Sequence, residues 1–313
     1  MSRFSACVLA VLLATAGVAT ALEAPPSFVL KWGSYGSAPG QFVNPYGIAA
    51  DGAGSLYVLD KYNGRIQKFD GEGHYLTSWS HPGTGLPNDT RDMAGIGIGV
   101  EGNVYAVDGR HGELLVYSPD GTYLRTIPAF EGAWSVAFDH SSGDYYVAGG
   151  GGVQRYDASG TALNHWLIDG DGAARGVAVS ADGYVYLSGF RIYKFTRDGV
   201  KMRQSPPLDT SNYGYFIALD SSGNIYIPLV SDSRVQKYSP DCVLLSEWGT
   251  PGSGDGQFGS PIGIAVDEAD AIYVTESFTF LTIGAGNNRV QKFAYLATPT
   301  TPSTWGEIKS RYR

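Results

Sequence analysis

Five histidines, one cysteine beyond the first ten residues and a recurring pairing of acid with arginine are the groups in this chain that could do chemistry. His74, His81, His111, His140 and His165 stand in none of the spacings that put two imidazoles on one metal ion. Asp169-Gly170-Asp171-Gly172 begins like a calcium loop, but Ala173-Ala174 breaks the alternation of oxygen ligands. Neither a Gly-x-Ser-x-Gly elbow nor a phosphate-cradling glycine loop is present. Charged residues recur instead in close sets: Asp60 with Arg65, Asp108 with Arg110 and His111, Arg191, Asp232 with Arg234, and Glu276 with Arg289. Such sets either grip a polar ligand or brace a turn as ion pairs. Their mixed signs argue against a phosphate cradle.

The elements that must position these groups are short strands. A Tyr recurs inside an apolar run at Tyr57, Tyr105, Tyr146, Tyr186, Tyr226 and Tyr273, at intervals of 40 to 48 residues. A turn precedes most of these runs, as in Gly52-Ala53-Gly54 and Ser222-Gly223-Asn224. A second strand follows, ending in Lys68-Phe69, Val116-Tyr117, Arg155-Tyr156, Lys194-Phe195, Lys237-Tyr238 or Lys292-Phe293. Four strands (a, b, c and d) in each such interval make the period of a propeller blade. Glycine, at 43 residues, is about twice its usual share of roughly 7%, as tight turns demand. The reading is an all-β, six-bladed β-propeller. Val29-Leu30-Lys31-Trp32-Gly33 matches Leu245-Ser246-Glu247-Trp248-Gly249, so the N-terminal strand is expected to close blade six at its open edge.

Gly40-Gln41-Phe42-Val43-Asn44-Pro45-Tyr46-Gly47-Ile48-Ala49-Ala50-Asp51, continued through Leu56-Tyr57-Val58-Leu59-Asp60 and Asn63-Gly64-Arg65-Ile66-Gln67-Lys68-Phe69, resembles a full NHL repeat. Gly256-Gln257-Phe258 through Arg289-Val290-Gln291-Lys292-Phe293 resembles a second one, and blades two to five keep the rhythm without the Pro-x-Gly-Ile opening. The resemblance covers roughly residues 28 to 295 and implies the fold; it leaves function open, because one propeller serves many activities. It also implies that the acid–Asn–Arg arrangement is structural. NHL-like amidating lyases use axial histidines around zinc, a set this chain lacks.

In a propeller the b–c turns and d–a crossings share one face. That face carries residues 80–92 and 276–288, two loops longer than their counterparts. Variable loops on a rigid scaffold are where function usually sits. Phe278 and Phe280 in the second loop are expected to anchor a partner or to cap the channel. Asp60, Arg65, Asp108, Arg110, His111, Arg191, Arg234 and Arg289 form the expected polar rim. His81 and His111 share this face, one short of a three-residue zinc set; His74, His140 and His165 are expected in turns or outer strands, away from the axis.

Residues 1–21 read as a cleaved signal peptide: Arg3, an apolar run from Ala6 to Val18, then Ala19-Thr20-Ala21. The propeller is assigned to 27–296, and 297–313 to a Thr/Pro linker with a short basic tail containing Trp305. The chain is therefore expected to be secreted or periplasmic, with no membrane span after cleavage. Cys7 leaves with the leader, so Cys242 has no partner for an intrachain disulfide. A net charge of −8 opposes nucleic acid as a partner. These observations favour a non-catalytic binding scaffold for a protein, peptide or glycan, with no cofactor. The alternative is a metal-dependent lyase or lactonase with a divalent ion in the channel mouth, which needs three ligating groups converging on the axis.

Overall fold

A strand packed on both faces carries apolar side chains at consecutive positions. The second strand of every repeat meets that condition. In the computed structural model, which describes residues 22–80, 93–168, 173–208, 214–277 and 286–295, these six segments are buried almost end to end.

Each lies second in a four-stranded antiparallel sheet. Blade one is β2 (Pro45–Ala50), β3 (Ser55–Asp60), β4 (Arg65–Asp70) and β5 (Tyr75–Ser80). Blade two is β6 (Met93–Ile98), β7 (Val104–Asp108), β8 (Glu113–Tyr117) and β9 (Tyr123–Pro128). Blade three is β10 (Ala133–Phe138), β11 (Tyr145–Gly149), β12 (Gly152–Tyr156) and β13 (Ala162–Trp166). Blade four is β14 (Gly176–Val179), β15 (Val185–Ser188), β16 (Ile192–Phe195) and β17 (Lys201–Gln204). Blade five is β18 (Ala218–Leu219), β19 (Ile225–Leu229), β20 (Arg234–Tyr238) and β21 (Leu244–Trp248). Blade six joins β22 (Pro261–Val266), β23 (Ile272–Glu276) and β24 (Arg289–Ala294) to β1 (Ser27–Trp32) from the other end of the chain. The protein is an all-β, six-bladed propeller, and its only described helix is the 3-10 turn Lys61–Asn63.

Ring closure follows the Trp-Gly match in the sequence. Ser27 pairs with Ala294 and Trp32 with Val290, so the outer edge of blade six is covered by strand rather than left open. The seams between blades are filled by aromatic wedges. Trp32 packs between Tyr273 and Phe69, Trp79 between Tyr57 and Tyr117, Trp166 between Tyr146 and Phe195, and Trp248 between Tyr226 and Phe293. Burying one large apolar side chain contributes about 1.5–3 kcal/mol, so the repeated wedge is a principal source of cohesion between sheets. Three of the b-strand tyrosines also anchor their hydroxyls locally. Tyr57, Tyr226 and Tyr273 donate to Asp51, Asp220 and Asp267, each at the a–b turn of its own blade, over 2.9, 3.0 and 2.8 Å.

The a strands line the axis. Close approach between them explains the glycine of the Pro-x-Gly-Ile opening: a Cβ on Gly263 would lie 2.1 Å from the Tyr46 carbonyl oxygen. The Pro is lost in blade two, yet Gly95 and Ile96 remain, with the Trp134 carbonyl 2.4 Å from where a Cβ on Gly95 would be.

Candidate functional site: the axial mouth and its clamps

Where β3 runs out, Asp60 turns its carboxylate inward and becomes fully buried. It accepts hydrogen bonds from the Val43 amide (2.7 Å), Asn63 Nδ2 (2.8 Å), Arg65 Nε (2.8 Å) and Gln67 Nε2 (3.1 Å). Burial pushes the Asp60 carboxyl above its ordinary range, and the donors from Asn63, Val43 and Arg65 oppose that push. Arg65 donates from Nη2 to the carbonyls of both Ala38 and Gln41, fastening the crossing that leads into blade one. Blade six repeats the unit. Glu276 accepts from the Gly259 amide, Asn287, Arg289 and Gln291, while Arg289 reaches the carbonyls of Ser253, Gly254 and Gln257. Asp60, Arg65 and Arg289 therefore brace the crossings, the second of the two readings left open by the sequence.

The remaining rim residues spread over separate blades. Asp108 and His111 meet at 2.8 Å in the b–c turn of blade two, where Arg110 donates its amide to the same carboxylate. The hydrogen bond from Asp108 lifts the His111 pKa above its ordinary value. Arg234 pairs with Asp232 (3.4 Å) and Glu247 (3.2 Å), and Arg191 donates to the Ser205 carbonyl (3.0 Å). Phe278, Phe280, His81 and the Asp169–Gly172 segment lie outside the described residues, as do the leader and the tail.

The structure brings together a set that the charge pattern did not reveal. At the ends of the a strands on the b–c face, Tyr46, Trp134, Arg175, Tyr215 and Phe216 converge on the axis from four different blades. The Arg175 guanidinium lies 4.4 Å from the centre of the Tyr215 ring and 5.3 Å from that of Trp134. Tyr215 stands edge-on to Tyr46 at 6.4 Å, and the Lys61 ammonium sits 4.5 Å above Tyr46. Cation–π contacts of this kind are worth about 0.5–2 kcal/mol, more as water is excluded. Burial raises the Tyr46 hydroxyl above its usual range, so it stays protonated, while Trp134, Arg175 and Tyr215 remain partly exposed. A signal did exist. Tyr46, Arg175 and Tyr215 each stand eleven residues before the Tyr of their blade's b strand, and Trp134 stands twelve before Tyr146.

The opposite mouth is also concave. A cavity of about 350 Å³ is lined by a-strand residues with Asp51, Asp267, Glu268 and His140 at its rim, and a neighbouring one of about 670 Å³ adds Asp182, Asp220 and Asp270. This corrects one expectation: His140 does reach the axial opening, because it stands two residues past the end of β10, in the turn at the channel's end. Asp51, Asp220 and Asp267 are tied into their own turns by amides and tyrosine hydroxyls. Among the described residues, no three His, Cys, Asp or Glu side chains gather as a metal site.

Comparison with known proteins agrees with this architecture. The family model described as NHL repeat matches residues 42–69. A B-box type zinc finger protein, ncl-1, from Caenorhabditis elegans is 47% identical over 45 residues, which are 14% of this chain and 5% of that protein's length. The chain thus corresponds to a small part of that curated relative. Among solved structures, a streptogramin B lyase superposes with a TM-score of 0.61 at 13% identity, covering 85% of this chain and 97% of that one. A gluconolactonase from Xanthomonas campestris gives 0.59 at 14% identity, covering 87% and 96%. A protein of unknown function from Bacteroides thetaiotaomicron gives 0.65 at 15% identity, covering 84% and 74%. At these identities the likeness is one of fold.

Proposed function

Because the chain is an NHL-repeat six-bladed β-propeller, we propose that it is a non-catalytic, exported binding scaffold that takes a protein, peptide or glycan at its b–c mouth. The observation that carries this reading is the Arg175 guanidinium set against the mutually packed Trp134 and Tyr215 rings on the axis. Flat aromatic faces offer large contact area at little rotamer cost, and a guanidinium beside them adds a directional donor. Such a site recognises a sugar ring or planar side chain carrying a carboxylate. Asp108, Arg110, His111 and Arg191 supply the rim, with Phe278 and Phe280 as the expected anchors from the longest b–c loop.

The test is a binding panel of short peptides with neutral and acidic oligosaccharides, measured on the wild type and on Trp134→Ala with Arg175→Gln. A ligand of the wild type should bind the double variant at least about tenfold more weakly, the loss that removing a hot spot brings. Unchanged affinity would move recognition away from the axis. The alternative, a lyase or lactonase, has the fold likeness to a streptogramin B lyase and a gluconolactonase in its favour. A stoichiometric divalent ion retained by the purified protein would prefer it.

A further inference from the structure

Four of the six seams hold a tryptophan wedge, and the one between blades four and five does not. Position is fixed by strand pairing: Trp79 faces Ile66, Trp166 faces Val153 and Trp248 faces Val235. In blade four the residue bonded across to the equivalent Ile192 is Ser205, whose amide donates to the Ile192 carbonyl at 2.9 Å. The partner of the wedge has changed as well. At three of those seams the indole (Trp32, Trp79 or Trp166) lies against a turn glycine of the next blade, with a Cβ on Gly121 only 2.4 Å from the Trp79 ring. Here Cys242, at φ 63, takes the glycine's place, which an absent wedge permits. Blade two also lacks the wedge, having Ile127, but Tyr145 and Tyr156 stack there at 4.7 Å and leave only about 80 Å³. The seam after blade four keeps a cleft of about 450 Å³, floored by Leu208, Gln236, Tyr238 and Cys242 and edged by Pro206 and Val243.

We infer that this cleft is an indole-binding site, and that its occupant is Trp305 from the chain's own C-terminal segment. Trp305-Gly306 repeats the pair found at Trp32-Gly33 and Trp248-Gly249, where the indole is a wedge. The chain leaves the fold in the right place. β24 ends at Ala294, and the Tyr295 ring lies 4.6 Å from Lys237, the residue next to Tyr238 on the cleft floor. Lys237 and Tyr238 point to opposite faces of blade five, so the segment has one sheet to round, a thickness of about 10 Å. Trp305 lies ten residue steps beyond Tyr295, an extended reach of roughly 33 Å. The intervening Thr298-Pro299-Thr300-Thr301-Pro302 favours an extended, semi-rigid path.

Cys242 makes the inference testable, since it lines the cleft and burial lifts its thiol to about 11, so that its labelling reads access. With Cys7→Ser as background, Trp305→Ala should speed labelling of Cys242 by a thiol reagent about tenfold, equal to about 1.4 kcal/mol of lost occupancy. Millimolar N-acetyl-tryptophanamide should restore the protection. A Gly306→Cys variant that keeps Trp305 should form an intramolecular disulfide with Cys242 on mild oxidation, seen by mass spectrometry. Unchanged labelling together with no cross-link overturns the inference. A cross-linked dimer overturns it too, since the occupant would then be a second copy.

Discussion

Blades one and six differ in their b–c connection and agree in almost everything around it. From Asp60 to Arg65 the chain takes a tight 3-10 turn, whereas twelve residues stand between Glu276 and Arg289. Yet Asn63 and Asn287, Arg65 and Arg289, Gln67 and Gln291 perform matching tasks around the two carboxylates, and both arginines fasten the incoming crossing. The clamp therefore depends on strand ends and not on loop length. In blade six the residues at the two ends of that connection, Ser277, Asn287 and Asn288, still bond to Asn44 and Glu276. Blades three and four, with Gly149 and Gly189 where the acid stands, hold their crossings by other means.

Removing the strand shared by both ends of the chain should be the severest way to break the comparison. Deletion of residues 27–33 strips β24 of its partner and exposes a long edge. Cooperative thermal unfolding is expected to disappear, and the product to aggregate; a truncated chain melting like the wild type would dissociate the closure from stability. Next in size are the clamps. Arg289→Ala leaves the buried Glu276 carboxylate without its cation, a loss of about 3–5 kcal/mol in denaturant unfolding. Arg234→Ala, whose partners are partly exposed, should cost about 0–1 kcal/mol. Equal losses would mean that blade six has no special bracing. The smallest effect belongs to His111. Its pKa is raised in the fold by Asp108, so the pair stabilises below the unfolded value of about 6.5 and ceases to do so as pH rises through the raised one. The melting temperature of His111→Gln should thus trail the wild type at pH 5 and match it at pH 9. A gap independent of pH would assign the contact a neutral hydrogen bond only.

Much of this was readable because the parts are local. The b-strand tyrosines, the turn glycines and the clamp residues of blade one all fall within a few residues of each other, and ring closure was marked by one duplicated pentapeptide. The axial cluster was not so marked. Tyr46 occupies the variable position of the Pro-x-Gly-Ile opening, and Trp134, Arg175 and Tyr215 come from three further blades whose a-strand openings have diverged. The charge pairs drew attention because opposite signs a few residues apart are conspicuous in text; in space Asp60 and Arg289 spend that charge internally. His140 was misplaced for a related reason: a residue two steps beyond an inner strand lies at the end of the channel, though its neighbours read as an ordinary turn.

The bond between β1 and β24 also sets a schedule. Trp32 leaves the ribosome long before Val290, its partner, and at about 5–20 residues per second the interval is roughly 13–50 s. During that time β1 has no sheet to join, and the first blades can form while the circle stays open. Closing a loop of this length carries an entropic cost that the last strand must overcome in a single step. Completion is thus gated by release of the final strand, which leaves the nascent chain threadable for as long as synthesis lasts.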